Sequence, residues 1–119
     1  MKIFTQSHLI SDNETAYVMG SGSLHVYATP AMVALMEHTS VQIIDNLAEG
    51  FTTVGIEINV QHLKASKPGE TVICTAELIK LEGKLYEFQI VVENANGDKT
   101  GTATHKRVAV RIDKFMNSL

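Results

Sequence analysis

The chain has 119 residues, of which 45% are hydrophobic and 19% are charged. This length fits one domain covering residues 1–119, and the hydrophobic fraction allows a sizeable core. The formal net charge is −3, from 10 basic and 13 acidic side chains, which excludes the basic footprint of a nucleic-acid-binding domain. The low charged fraction indicates that a partner subunit covers part of the surface. We therefore expect a homo-oligomer, at least a homodimer, with no nucleic-acid partner.

The cysteine content and the chain start favour a reduced, cytoplasmic protein. Cys74 is the single cysteine, so no intrachain disulfide can form, and its apolar surroundings predict buried packing. Residues 1–6 lack the long apolar segment of a signal peptide, and no stretch is long and apolar enough to span a bilayer. We expect no membrane partner.

One long helix is the clearest predicted element. Thr29 suits the N-cap and Pro30 the first helical position. Residues 31–49 contain no glycine or proline, and Gly50 then provides a stop. The pattern predicts a helix of about five turns.

Strand-like segments lie on both sides of this helix. They cover residues 7–18 before it, and residues 53–62, 71–81, 85–92 and 99–112 after it. Glycine-containing turns separate the last four, and Asn96 with Gly97 gives the strongest hairpin signal. Gly101 permits a bulge or a close approach in the last strand.

This order of elements predicts an α+β domain in which a curved antiparallel sheet wraps around a long central helix. The hotdog fold has this arrangement. A cystatin-like α+β roll also wraps a sheet around a helix, and the element order alone does not separate the two folds.

Glu37 is the least expected residue of the predicted helix. On a wheel of roughly 100° per residue, Val33, Met36 and Val41 belong to an apolar face, and Glu37 falls on it at roughly 240°. No cation stands three or four positions away, so no pair within the helix neutralises it. A desolvated carboxylate costs several kcal/mol unless it is paired or protonated, which makes Glu37 a candidate base. The alternative is a core Glu paired with a distant Lys or Arg.

Three further positions are candidates for chemistry. Thr29 begins the helix, where the free amides of Ala31 and Met32 could hold an oxyanion. His62 ends a strand, and histidine is the commonest acid–base residue, although a lone histidine is more often structural. Gly55 interrupts a β-branched strand, which indicates a bulge or a backbone approached by a ligand.

Other chemistries find little support in the sequence. The five histidines are scattered without the spacing of metal ligands, so we predict no metal and no cofactor. The sequence contains no Gly-x-Ser-x-Gly elbow and no phosphate-binding glycine loop.

Three segments resemble hotdog thioesterases of the fluoroacetyl-CoA thioesterase-like group: residues 27–38 (YATPAMVALMEH), 53–62 (TVGIEINVQH) and 101–107 (GTATHKR). The resemblance extends over about residues 17–115. It implies a catalytic set of Thr29, Glu37 and His62, with Gly55 and Arg107 in substrate binding. It also implies an acyl-CoA substrate and hydrolysis of the thioester to free acid and CoA.

Two other functions on the same fold stay open at this level. One is a non-catalytic module that binds acyl-CoA or another small ligand. The other is a hotdog dehydratase, whose different placement of histidine and acid finds no match here.

Overall fold

The computed structural model describes residues 2–119. Its elements in chain order are β1 (Lys2–Leu9), a 3₁₀ turn (Asp12–Glu14), α1 (Ala16–Met19), α2 (Thr29–Val41), β2 (Phe51–His62), β3 (Thr71–Glu82), β4 (Leu85–Asn94), β5 (Lys99–Arg111) and α3 (Ile112–Asn117).

The five strands form one antiparallel sheet in the order β1-β3-β4-β5-β2, so β1 and β2 are its edges. Helix α2 packs on the sheet, where its fully buried Met32 and Met36 join Phe88 and Ile90 in the core. A Cβ on Gly101 would lie 2.6 Å from Sδ of Met32. Gly101 is therefore the point of close approach predicted for β5. The α+β class and the packing of an antiparallel sheet on one long helix are confirmed.

The long helix is shorter than predicted, because α2 ends at Val41 rather than at residue 49. The amide of Ile43 donates to the Ser40 carbonyl at 3.1 Å, which forms a tight turn instead of another helical turn. The segment after it is held from outside the helix, since Tyr86 donates its hydroxyl proton to Oδ1 of Asn46 at 3.0 Å. Gly50 has a positive φ of 85°, but it lies in a turn before β2 and caps no helix.

Of the apolar face assigned to the helix, Met36 is buried as predicted, but the rest of the assignment was wrong. The buried side is Ala31, Met32, Leu35, Met36, Thr39 and Ser40. Thr39 and Ser40 can be buried because their hydroxyls donate to the carbonyls four residues earlier, at 2.7 and 2.9 Å. Val41 is 38% exposed, and the side chain of Glu37 is 40% exposed in the single chain.

Two details at the N-terminal side differ from the prediction. Only residues 7–9 of the segment 7–18 are in a strand, because Thr15 caps the short helix α1 by accepting from the Val18 amide at 3.3 Å. The N-cap of α2 is Ala28, with extended dihedrals, and Thr29 is the first helical residue. The Thr29 hydroxyl makes no capping bond, since it pairs with a side chain of β2.

The remaining strands start and end within two residues of their predicted bounds. Among residues 2–119, the chain forms no helix of the length and apolar character that a bilayer crossing needs.

Candidate active site

The first group of the site joins the start of α2 to the end of β2. Thr29 Oγ1 lies 2.8 Å from Nδ1 of His62, a hydrogen-bond distance. Burial lowers the pKa of His62, so the neutral imidazole is favoured. Within residues 2–119, the buried Nε2 of His62 has no hydrogen-bond partner. Both residues line a cavity of about 330 Å³, so this neutral imidazole stands beside a space that a small ligand could enter.

The second group is centred on Arg107, which is 9% exposed. Its Nε donates to Thr53 Oγ1 at 2.9 Å and its Nη2 to the Thr53 carbonyl at 3.0 Å. Its Nη1 lies 3.5 Å from Oε2 of Glu37 and 3.3 Å from Nε2 of His105. Arg107 thus donates hydrogen bonds to three side chains and one carbonyl, and it holds the carboxylate of Glu37 in place.

His105 fixes the orientation of this arginine. Its Nδ1 lies 2.8 Å from the carbonyl oxygen of Glu57, so Nδ1 carries the proton and Nε2 accepts from Arg107. Burial lowers the pKa of His105, and the positive charge of Arg107 acts in the same direction. Burial also lowers the pKa of Arg107, whereas the negative charge of Glu37 raises it. The histidine is therefore a neutral acceptor beside the guanidinium.

Gly55 lies beneath the second group, at a bulge where the register of β2 against β5 shifts between Gly55 and Glu57. A Cβ at this position would lie 2.8 Å from Oε2 of Glu37, 3.2 Å from Nη1 of Arg107 and 3.2 Å from Cε1 of His105. The three side-chain tips therefore meet over the one residue of β2 that has no side chain.

The two groups are separate within one chain. Thr29 and Glu37 are eight residues apart on α2, a rise of about 12 Å. No hydrogen bond in the described part of the chain joins Glu37 to Thr29 or to His62. The pairing of Glu37 with a distant arginine is the alternative that the sequence left open for this residue. It leaves 40% of the Glu37 side chain exposed.

Sequence reasoning missed Thr53 and gave no role to His105. His105 stands two positions before Arg107, on the same face of β5, and this alternation is the signal that could have identified it. The expectation for the helix amides was half wrong, because the Met32 amide donates to the Ala28 carbonyl at 3.0 Å and is not free for an oxyanion.

The fold is that of a hotdog protein, and solved thioesterase structures share it. A crystal structure of a mutant fluoroacetyl-CoA-specific thioesterase in complex with fluoroacetate and CoA has a TM-score of 0.89 at 30% identity, with 96% of both chains covered. A Thermus thermophilus protein described as a thioesterase superfamily member has a TM-score of 0.89 at 27% identity, covering 98% of this chain and 86% of the other. These likenesses decide against the cystatin-like roll.

The family follows from the sequence comparisons. The model of the fluoroacetyl-CoA-specific thioesterase family matches residues 10–113. The fluoroacetyl-CoA thioesterase of Streptantibioticus cattleyicolor is 36% identical over 91 residues, which are 76% of this chain and 65% of that protein. The match therefore spans just under two thirds of the length of that relative. The chain belongs to the fluoroacetyl-CoA-specific thioesterase family, and the resemblance noted in the sequence is confirmed.

Proposed function

We propose that the chain is an acyl-CoA thioesterase, with Thr29, Glu37 and His62 as its catalytic residues. The observation that carries the proposal is the 2.8 Å contact between Thr29 and His62 at the edge of a cavity. It places a hydroxyl and a neutral imidazole together at the start of a helix, where partial positive charge favours a developing oxyanion.

The roles follow from the protonation states. We propose that Nδ1 of His62 donates its proton to Thr29 Oγ1, which leaves the Nε2 lone pair able to exchange a proton. A water oxygen bonds to the thioester carbonyl carbon, and the proton that the water loses passes to Glu37 or His62. The C–S bond then breaks, and that proton goes to the departing CoA sulfur. The products are the free acid and CoA, and every proton is accounted for.

A homodimer would bring the separate groups together. β2 is a 12-residue edge strand whose outer hydrogen-bonding groups have no strand partner among residues 2–119, and its Ile56 is 56% exposed. An exposed edge strand of this kind can form hydrogen bonds with the same strand of a second copy. Antiparallel pairing of two β2 strands around residues 58 and 59 would set His62 of one copy opposite Gly55 of the other. The carboxylate over that glycine, Glu37 of the second copy, would then face the Thr29–His62 pair.

Arg107 acts in this proposal through Glu37, because all four of its hydrogen bonds go to protein groups. Gly55 keeps the space above the bulge open for the carboxylate and for the acyl group. The buried free thiol of Cys74, whose pKa burial raises, fits a reducing compartment such as the cytoplasm.

Hydrolysis of a panel of acyl-CoAs, with fluoroacetyl-CoA among them, tests the activity. Binding without turnover on every substrate would favour the non-catalytic module instead. Light scattering at micromolar concentration tests the dimer, and a monomer would contradict it.

Mixing two inactive variants tests the shared site. His62→Gln and Glu37→Gln chains are each expected to be inactive. Random reassociation of equal amounts makes half of the dimers mixed, and each mixed dimer has one intact site of two, so about a quarter of normal activity should return. No recovery would mean that each chain holds a whole site or none.

A further inference from the structure

A groove at the end of the molecule opposite to His62 has no role in the mechanism above. It has a volume of about 450 Å³ and is lined by residues from the start of β2, the turn between β3 and β4, the end of β5, and α3 with the residue after it. Phe51 and Phe115 provide aromatic walls and are 39% and 36% exposed. The backbone of β5 fixes one side, since the Ala109 amide donates to the Lys84 carbonyl at 3.0 Å.

The charge of the groove is opposite to that of the chain. Lys84, Arg111 and Lys114 line it, and no acidic residue does, although the chain carries a net charge of −3. Asp113 lies 3.4 Å from Arg111 and partly neutralises it. Among residues 2–119, Lys84 and Lys114 belong to none of the ion pairs. Two unpaired cations next to aromatic walls suit an aromatic ligand with phosphate groups.

The groove lies within reach of the proposed chemistry. Phe51 is four residues from Gly55 along β2, and Arg111 is four residues from Arg107 along β5, which places the groove about 13 Å from the Glu37 carboxylate region. The long pantetheine arm of CoA can bridge a separation of that order.

We propose that this groove binds the nucleotide end of CoA, with the adenine between Phe51 and Phe115 and the phosphates at Lys84 and Lys114. The inference rests on the proposed thioesterase function for its ligand. A competing phosphate site would use Lys64 and Lys67, in the loop after β2. Lys64 already pairs with Asp98 at 2.8 Å, so the groove is the better match.

The test compares a whole substrate with a truncated one. We expect the double variant Lys84→Gln, Lys114→Gln to raise KM for the best acyl-CoA about tenfold, because each exposed ion pair contributes modestly. Its KM for the same acyl group on pantetheine, which has no nucleotide, should equal that of the unmodified protein. The double variant Lys80→Gln, Lys99→Gln removes the same charge from exposed positions elsewhere, and it should leave both KM values unchanged.

Calorimetry with adenosine 3′,5′-bisphosphate separates this proposal from the proposed activity. Binding to the unmodified protein that the groove variant loses supports the groove even if no acyl-CoA is hydrolysed. Equal binding by both proteins would overturn it, as would a CoA-specific KM effect found in Lys64→Gln, Lys67→Gln and not in the groove variant. A changed oligomeric state of the groove variant in light scattering would instead assign the groove to a subunit contact.

Discussion

Replacing Gly55 by alanine tests whether the cluster above the bulge serves catalysis. The new Cβ would lie 2.8 Å from Oε2 of Glu37, whereas ordinary contact begins at 3.4 Å, so the carboxylate must move by about 0.6 Å (3.4 − 2.8). The neighbouring atoms of Arg107 and His105 at 3.2 Å would have to yield a few tenths of an ångström. A misplacement of about 1 Å can cost roughly 10²-fold in rate, so we expect kcat to fall by about ten- to a hundredfold.

The same substitution should change stability little. Gly55 is not among the glycines with positive φ, so alanine fits the backbone. The atom displaced first is the tip of a side chain that is 40% exposed and can swing away. A gain of about 0.4–1 kcal/mol from the reduced entropy of the unfolded chain offsets the remaining strain.

Gly101→Ala is the matched control within the chain. Its Cβ would meet Sδ of Met32 at 2.6 Å and Cε of Met36 at 3.3 Å, and both methionines are fully buried. Overpacking of this kind costs about 1–3 kcal/mol, while the protein that stays folded should keep its kcat. Thermal melting and steady-state hydrolysis of the best acyl-CoA measure both effects. A Gly55→Ala protein with normal kcat and normal melting would refute the role given to the cluster.

Three further predictions use the same two assays. Glu37→Gln should lower the rate of hydrolysis by roughly 10²–10⁴-fold, because an acid–base group is lost. It should lower the free energy of unfolding by less than about 1 kcal/mol, because the partly exposed ion pair contributes little to stability. Near-normal turnover would contradict the mechanism. Arg107→Lys should lower kcat and leave KM nearly unchanged if the arginine positions Glu37, whereas a raised KM with normal kcat would mark it as a substrate ligand. Burial lowers the pKa of both His62 and His105, so the unfolded chain, whose imidazoles titrate near 6.5, binds protons more readily than the folded chain. Stability should therefore be highest above about pH 6.5 and fall as the pH drops below it, and His62→Gln should reduce this dependence in melting curves recorded at several pH values.

The sheet could be predicted from the sequence and the end of the helix could not. Strands have a period of two and glycine-containing turns, which are local signals, so β3, β4 and β5 were located closely. The helix ends at Val41 because residues after it form tertiary contacts, such as the bond from Tyr86 to Asn46, that no local pattern reveals. The helical wheel predicted the wrong buried face for a similar reason. The Thr39 hydroxyl donates a hydrogen bond to the Leu35 carbonyl within the helix, so this polar residue can lie in the core.

The candidate site was predictable by residue type and less so by arrangement. Thr29 and His62 are in contact, which supports the proposal that both belong to one site. Glu37 was selected as a carboxylate on an apolar face, but its environment is a polar cluster with Arg107 and His105. The partner of a charged side chain on another strand depends on sheet register, which sequence patterns specify only loosely.

The two hydrogen bonds from Arg107 to Thr53 couple the edge strand β2 to the orientation of Glu37. The Arg107 side chain on β5 donates hydrogen bonds to both the hydroxyl and the carbonyl of Thr53, which lies on β2 just before the bulge. Fraying of β2 at this point would break these bonds and release the guanidinium that holds Glu37. Local opening of the edge strand and loss of the carboxylate's orientation would thus be one event. Hydrogen exchange of the amides around the bulge should then report, in the resting protein, the fraction of molecules in which Glu37 is correctly oriented.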